Sequence, residues 1–591
     1  MDSDNSRPVP AAGKQRWWDE AAAAIHSYSV KQQLILAGLA IVFVASLLGL
    51  LSYLNNQVLV PVAGHGGSLT EGIIGTPRFI NPLLAISDAD RDLTALVYSG
   101  LMRVNGEGEL IPDLAASYEV SSDNRVYTFT LKKGLTFQDG TPLTTDDIEF
   151  TILKAQDPLI KSSRRGAWDG VTVEKVSPTQ IRFHLKQPYA TFLESTTMGI
   201  LPKHIWQSIT PEGFSLAHEN VEPIGSGPFK VSGTKFDRSG LPQWYKLTGF
   251  NNFALGEPNL SSITLNFYAN EDDLVEAYKT GAIQSLSAIR PERVVELADF
   301  RHQVITAPFP RVFAVFFNQN QAEIFTQPEV RQALNLAVDK PGLIKKVLAG
   351  YGEPLSGPLP PGTLGAAAAN KIKASGGSPA EAAALLTKNG WLKNSDGVWT
   401  KKTKAKTYTL RFSLSTPNTP ELQAAAEAVV KDWQALGAQV ELKPFELGDL
   451  NQNVIRPRQY EALFFGEVVG RNPDPLAFWH SSQRLDPGLN VAMYANISVD
   501  KILTEARGLT DRNARGQKLS EFDQIIRNDT PAVFLYAPSF VYLLPNQIQG
   551  VHLPALVTAA DRFTDVYHWY TKVDNVWPWF VSTTNLINRL K

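Results

Sequence analysis

Apolar and polar positions change rhythm several times along this chain, and the first change is the sharpest. Residues 34–54 read LILAGLAIVFVASLLGLLSYL, and no charged residue stands between Lys31 and Glu71. At about 1.5 Å of rise per residue such a helix covers about 30 Å, the thickness of a bilayer core. It has no polar face, as a helix half-buried in a soluble core would have. Further on, VYTFTL at Val126–Leu131 alternates between turn residues and predicts a strand. Thr145 opens a helix whose first turn carries Asp146, Asp147 and Glu149, suited to the positive end of the helix dipole. Gln327-Pro328-Glu329 starts a helix through Val330, Leu334 and Val338. Ser378-Pro379 caps another that runs to Gly390, and Thr419-Pro420-Glu421 starts a third that ends at Leu436-Gly437. After Gly437 the run AQVELKPFEL alternates as a strand. Helix, glycine, strand recurs, which predicts an α/β sandwich with mixed sheets. Residues 55–68 lack pattern and read as a tether. Residues 362–377, rich in Ala, Gly and Lys, read as a surface loop, and no repeat of fixed period is present.

Bulk properties narrow the classes. A chain of 591 residues exceeds one ordinary domain and suits two or three lobes with cores of their own. With 43% hydrophobic and 19% charged residues, disorder and collagen-like classes are excluded for most of the length. A net charge of -2 and no long basic run argue against nucleic-acid binding by phosphate neutralisation. Cysteine is absent, which removes disulfides, thiolate metal sites, cysteine nucleophiles and a lipid-bearing cysteine anchor. The nine histidines are scattered, with no HExxH and no GxSxG, so neither a zinc hydrolase nor a serine hydrolase elbow is expected.

The charge bias gives the apolar run a direction. Arg7, Lys14, Arg16 and Lys31 precede it, and no Lys or Arg follows until Arg78. The positive-inside rule places residues 1–33 in the cytoplasm and the bulk of the chain outside, making this a single-pass cell-membrane protein. A cleaved signal has an apolar region of only about 7–15 residues, and NNQVLVPVAGHGG offers only a poor cleavage site near Ala63. An uncleaved anchor over 34–54 is therefore expected.

The order of landmarks from residue 69 to 553 resembles one family. Thr76-Pro77-Arg78-Phe79-Ile80-Asn81-Pro82 is followed by LVYSGLMRVNGEGELIPDLAASYEV, the VYTFTL strand and the Phe137-Gln138-Asp139-Gly140-Thr141-Pro142 turn. Gly225-Ser226-Gly227-Pro228-Phe229, Phe317-Asn318, the stretch from Val330 to Asp339, Asp474-Pro475, and Pro531 to Tyr536 follow in order. Together they resemble the extracellular solute-binding proteins of family 5, the oligopeptide- and dipeptide-binding group. The family's usual lipid-carrying cysteine is missing, and the loop 466–475 is longer than usual for the family. The resemblance implies an α/β bilobal clamp of the type II periplasmic-binding-protein kind. Residues 69–310 would form lobe I, with an accessory subdomain at about 84–201. Residues 311–540 would form lobe II, and 541–591 would return to lobe I. It implies crossings near residues 307–313 and 534–544. It also implies a peptide ligand, an ABC permease as partner, a monomer, no cofactor and no catalysis. A membrane-anchored hydrolase is the alternative, as is the same clamp with a nickel chelate, haem or oligosaccharide ligand.

Candidate ligand contacts cluster in one region. A peptide ammonium needs an acidic partner, because burying that charge unpaired costs several kcal/mol, by order of magnitude. Family members place an acid at the end of the strand EALFFGEVVG, which makes Glu467 the candidate by position. Arg471 suits a ligand carboxylate or an internal partner. Asp474 is either a ligand contact or the cap of the helix that Pro475 begins. Trp479, His480 and Tyr494 supply aromatic surface, of which one is expected to face the ligand and the others to be core. The Gly225–Gly227 turn reads as a tight turn needing φ > 0 rather than a phosphate cradle.

Overall fold

The computed structural model describes residue 20 and residues 22–297, 300, 302–366 and 377–578. Most of the expected cytoplasmic tail, most of the expected 362–377 loop and residues 579–591 lie outside the described residues. The chain divides into two compact units. One holds the N-terminal part through Gly64 together with the segment from Lys572, and the other is His65–Thr571.

In the first unit, helix α1 (Val30–Val58) begins at Ser29, whose N–H donates to Gln32 Oε1 at 3.0 Å in a capping box. The helix runs four residues past Leu54, because Asn55, Asn56 and Gln57 continue its backbone bonds. Its apolar stretch is exposed along its whole length, as a bilayer-spanning segment requires. Strand β1 (Val60–Gly64) follows and pairs antiparallel with a strand near the far end of the sequence, Val60 opposite Val576. Residues 55–68 are thus partly strand, not unpatterned tether. A two-stranded ladder needs only backbone groups, so its short VPVAG sequence gave no alternation to read.

The second unit opens with β2 (Ser68–Ile74) and helix α2 (Asp88–Val97), capped by Ser87 and Asp90. An antiparallel sheet follows: β3 (Ala115–Val120), β4 (Val126–Leu131), β5 (Thr172–Ser177) and β6 (Gln180–His184), in the order β3-β4-β6-β5. Helix α3 (Thr145–Gln156), with Thr144 and Asp147 as its capping box, lies between β4 and β5 in sequence. Strands β7 (Phe229–Phe236), β8 (Pro242–Gly249), β9 (Ser262–Tyr268) and β10 (Ser285–Ser287) return to β2, giving the order β7-β8-β9-β2-β10.

Strands β11 (Gln303–Pro308) and β12 (Arg311–Phe317) carry the chain onward. Helices α4 (Pro328–Ala337) and α5 (Pro379–Lys388), strand β13 (Arg411–Pro417), helix α6 (Pro420–Leu436), β14 (Gln439–Phe445) and β15 (Ala462–Val468) follow. Then come α7 (Ile497–Gly508), α8 (Arg512–Asp529), the long strand β16 (Ala532–Leu544) and, in the first unit, β17 (Lys572–Val576). Helices α4, α5 and α6 bury apolar stripes on one face of the sheet β14-β13-β15-β12-β16, and α7 and α8 cover the other. A separate core unites β2, α2, β4, β6 to β9 and the segment around residues 556–569.

Strand β16 joins the two halves. Its first part pairs with β12, Ala314 opposite Phe534 and Phe313 opposite Tyr536. Its second part pairs with β11, Pro308 opposite Ser539 and Gln303 opposite Leu544, and with β10. One strand thus belongs to both lobes.

A buried ionic knot fixes the first lobe. Arg562, with no exposed surface, donates through Nε to Glu71 Oε1 at 2.9 Å and through Nη1 and Nη2 to the two oxygens of Asp92 at 2.8 and 2.6 Å. Nη1 also donates to the Ala559 carbonyl at 2.8 Å. The Tyr542 hydroxyl and Ser285 Oγ donate to Glu71 Oε2. This ties β2, α2, β10, β16 and the 559–563 turn to a single guanidinium. Burial, opposed by Arg562 and reinforced by Glu71, lifts the Asp92 carboxyl to about 6.

The glycine pair at 225 and 227 corrects one expectation. Neither has positive φ. Gly225 is required because a Cβ would strike the Val97 carbonyl oxygen, and Gly227 because a Cβ would lie 2.6 Å from the Tyr98 nitrogen. Close backbone approach to the end of α2, not left-handed geometry, is what these positions demand. Gln138 locks the turn, accepting from Gly225 N at 3.1 Å and donating to the Phe229 carbonyl at 2.8 Å.

Replacing Arg562 by Met leaves two buried carboxylates without their cation, which costs about 3–5 kcal/mol. Denaturant unfolding of Arg562→Met is expected to show that loss. A midpoint within error of the parent would contradict the structural role.

Candidate functional site

A cavity of about 400 Å³ is lined by Arg91, Arg103, Asp113, Arg164, Glu194, Arg471 and Asp561, among others. That volume lies within the roughly 300–1,000 Å³ of ordinary small-ligand sites. Helix α2 supplies one wall. Arg91, Thr94 and Tyr98 recur at helical spacing along one face and at its end. Gly199 faces Tyr98, and a Cβ there would come within 2.6 Å of Tyr98 Cβ, so the wall closes only around glycine. Arg164 and Trp168 come from the segment that follows α3, and Tyr189 and Glu194 from the one that follows β6. The turn 557–564 forms the opposite side, where Asp561 caps its own turn by accepting from Val557 N at 2.8 Å. Arg471, from the loop after β15, is the second lobe's contribution.

Charges around the cavity are unevenly matched. Arg103 and Asp113 form a buried pair at 2.8 Å. Arg471 Nη1 donates to Asp561 Oδ2 and to the Ala555 carbonyl, both at 3.0 Å, so it bridges from one lobe to the other. That leaves Arg91, Arg164 and Glu194. Arg91 reaches Asp88 only at 3.7 Å. Desolvation and the nearby Arg91 charge lower the Arg164 pKa from the usual arginine value. Burial raises the Glu194 carboxyl against the pull of Arg471 and Arg515 and a hydrogen bond from the Asn472 side chain. Three side-chain atoms in the lining are buried with no hydrogen-bond partner among the described residues: Thr94 Oγ1, Tyr98 OH and Asp113 Oδ1.

Of the five residues singled out in the sequence, the cavity takes in Arg471. Asp474 stands one step behind it. Its Oδ2 is ion-paired with Arg507 Nε at 3.0 Å, and the Arg507 guanidinium lies 5.5 Å from the Tyr189 ring centroid. The Arg507 carbonyl accepts from Ala190 N at 3.1 Å, a second contact between lobes. Trp479 is a core residue, among Phe316, Phe522, Phe534 and Tyr494. Tyr494 is core too, its hydroxyl donating to Asp529 Oδ2 at 2.5 Å. Neither lines the cavity, and His480 beside them is turned to Ser482, 2.8 Å from its Oγ. Large aromatics fill a layer between two helices and a sheet more readily than a cleft wall.

Glu467 lies on β15 opposite Val312, and it shares a face with Leu463 and Phe465. That face turns toward the α7–α8 layer. The side chain is 5% exposed, and neither carboxylate oxygen meets a hydrogen-bond partner among the described residues. Burial alone pushes its pKa up to about 8.

Arg91, Tyr98, Arg164, Glu194 and Asp561 were not singled out from the sequence. The spacing of Arg91, Thr94 and Tyr98 was legible, but such a stripe ordinarily means core. The others come together only through the fold. Among the described residues no cluster of His, Asp and Glu is arranged to hold a metal ion.

With this geometry in view, comparison with known proteins places the chain. The model of the bacterial extracellular solute-binding proteins, family 5 Middle, matches residues 109–487, and the chain belongs to that family. The oligopeptide-binding protein AppA of Bacillus subtilis is 27% identical over 495 residues, covering 82% of this chain and 89% of AppA. The structure of that protein in complex with a nonapeptide aligns with a TM-score of 0.64 at 26% identity, over 86% of this chain and 100% of that one. The ABC transporter substrate-binding protein CtaP of Listeria monocytogenes aligns with a TM-score of 0.71 at 26% identity, over 86% and 99%. The fold is the bilobal α/β clamp of periplasmic binding proteins.

The enclosed acid makes stability depend on pH. The Glu467 pKa is raised from 4.5 to about 8 in the fold, so its favourable contribution is complete below about pH 4.5 and is lost as pH rises through 8. Glu467→Gln removes that dependence. Its stability relative to the parent is expected to rise by about 3–4 kcal/mol between pH 5 and 8.5 in paired denaturant titrations. A constant difference across that range would show the carboxyl to be solvated.

Proposed function

We propose that this chain is an extracytoplasmic solute-binding protein of an ABC importer, held to the membrane by α1 and acting as a monomer without catalysis. It captures peptides between its lobes and presents the closed form to the permease. Residues 1–33 lie in the cytoplasm on this reading, and the lobes outside. The lobe boundaries expected from the sequence, 69–310 with 541 onward and 311–540, are kept, with β17 reassigned to the membrane-proximal pairing with β1.

The observation that carries the reading is the cavity to which both lobes contribute, bridged by Arg471 and Asp561. A guest there touches both lobes only when they are shut, so it stabilises the shut state by that difference in contact. The arginines of the lining support one orientation of the guest. Arg91 and Arg164 face its carboxylate, and Glu194 is the acid open to its cationic end. Glu467, enclosed behind the sheet, stays out of ligand contact in this arrangement. Anchoring by α1 keeps the clamp near its permease at high effective concentration.

Incubation of the purified protein with a library of free-carboxylate and C-amidated tripeptides tests this. Stoichiometric retention without cleavage is expected. A charge-assisted contact is worth about 1.5–3 kcal/mol, so amidation is expected to weaken binding by roughly ten- to a hundredfold, and Arg164→Gln to shrink that difference. Catalytic turnover of the peptides, or equal affinity for acid and amide, contradicts the reading.

A further inference from the structure

The charges that line the cavity do not balance. Four of the lining side chains are arginines, Arg91, Arg103, Arg164 and Arg471, and three are acids, Asp113, Glu194 and Asp561. Two pairs close on themselves, Arg103 with Asp113 at 2.8 Å and Arg471 with Asp561 at 3.0 Å. What remains is Arg91, Arg164 and Glu194, a surplus of one cation. A peptide with one ammonium group and one carboxylate is neutral and leaves that surplus in place. Enclosing an unbalanced charge is costly, because it loses water and gains no partner. A guest with one carboxylate more than it has ammonium groups removes the imbalance.

The two remaining arginines stand on different walls. Arg91 belongs to α2, and Arg164 to the segment between α3 and β5. Arg164 is exposed to solvent, so the desolvation that lowers its pKa comes from the walls around it, and the Arg91 charge adds to the effect. Among the described residues it has no carboxylate at ion-pair distance, Asp561 acting on it only from further away. The Arg91 partner, Asp88, stands at 3.7 Å and is itself more than half exposed, a contact that contributes little. Thr94 and Tyr98 share the α2 wall with Arg91, and neither hydroxyl meets a partner among the described residues. That wall offers an acid a guanidinium and two hydroxyl donors. Among the described residues of the lining the cations are all arginines, whose planar fork of N–H groups matches a carboxylate. One carboxylate shared between the walls serves neither fork fully, whereas two serve both.

We propose that the cavity is selective for acidic peptides, with Arg164 taking the main-chain carboxylate and Arg91, on the wall of Thr94 and Tyr98, taking the carboxylate of an Asp or Glu side chain. This rests on the peptide-binding reading and divides between the two arginines the work given there to both. A neutral or basic peptide fills the same space and leaves the Arg91 charge without its acid.

Calorimetric titration of the full chain in detergent with four tripeptides tests this, Ala-Ala-Glu and Ala-Glu-Ala against Ala-Ala-Gln and Ala-Gln-Ala. At one of the two positions Glu is expected to bind about tenfold more tightly than Gln, the discrimination of one charge-assisted contact. Arg91→Gln is expected to bring that ratio close to one. Arg91→Lys is expected to keep part of it, because the charge stays while the fork is lost. Arg164→Gln is expected to keep most of it. The ratio is taken within each variant, so a general loss of stability does not imitate the effect. Equal affinity for Glu and Gln peptides at both positions overturns the acidic selectivity and leaves peptide capture intact. A preference for Glu that survives Arg91→Gln overturns the assignment to Arg91 in the same way. Binding of none of the four peptides overturns peptide capture, and the selectivity with it.

Discussion

One strand has to serve two sheets, and this constraint governs how the molecule can move. β16 runs for 13 residues, pairing with β12 in one lobe and with β11 and β10 in the other. The other crossing, between β11 and β12, lies directly beside it, with Phe309 N donating to the Pro538 carbonyl at 3.3 Å. Proline occupies 308, 310 and 538, where the ladder changes partner. A residue without an N–H is tolerated where a ladder bond is not needed, and its fixed φ limits how the chain bends there. Two adjacent crossings of this kind are the geometry from which hinge motion between lobes is built.

Rigid bodies on either side make such a hinge useful. In the first lobe the Arg562 knot draws segments nearly five hundred residues apart in sequence into one buried network. In the second, Arg331 donates to the carbonyls of Phe325, Asp529 and Thr530, and the Trp433 indole N–H to that of Leu334 at 2.9 Å. The bridges across the cleft are of another kind. Arg471 and Asp561 are 18% and 20% exposed and form one ion pair across the cleft. A guest needs only modest differential contact to decide the balance.

Much of the frame was legible in the sequence, and the reasons it was legible are local. The apolar run of α1, the Pro-initiated helices α4 and α6 and the alternating strand β4 are each specified by neighbours within a turn or a strand. Gly225 and Gly227 were recognisable as constrained, but the constraint was contact with the end of α2, more than a hundred residues away. Glu467 was correctly placed near the end of a strand, yet the face it occupies was hidden. β15 is covered on both sides, so apolar residues at alternate positions do not distinguish one layer from the other. The cavity was the least legible part. Arg91, Arg164, Glu194, Arg471 and Asp561 meet only after both lobes have folded and shut, and no spacing in the chain records that meeting.

Shutting around a guest is the central claim, and a distance across the cleft measures it most directly. Asp169→Cys and Lys501→Cys, one exposed site on each lobe, give a spin-label pair in an otherwise cysteine-free chain. Pulsed dipolar spectroscopy during titration with a retained peptide should show one shorter distance growing in and saturating at one peptide per chain. A distance distribution that stays unchanged while peptide is demonstrably bound would contradict the clamp.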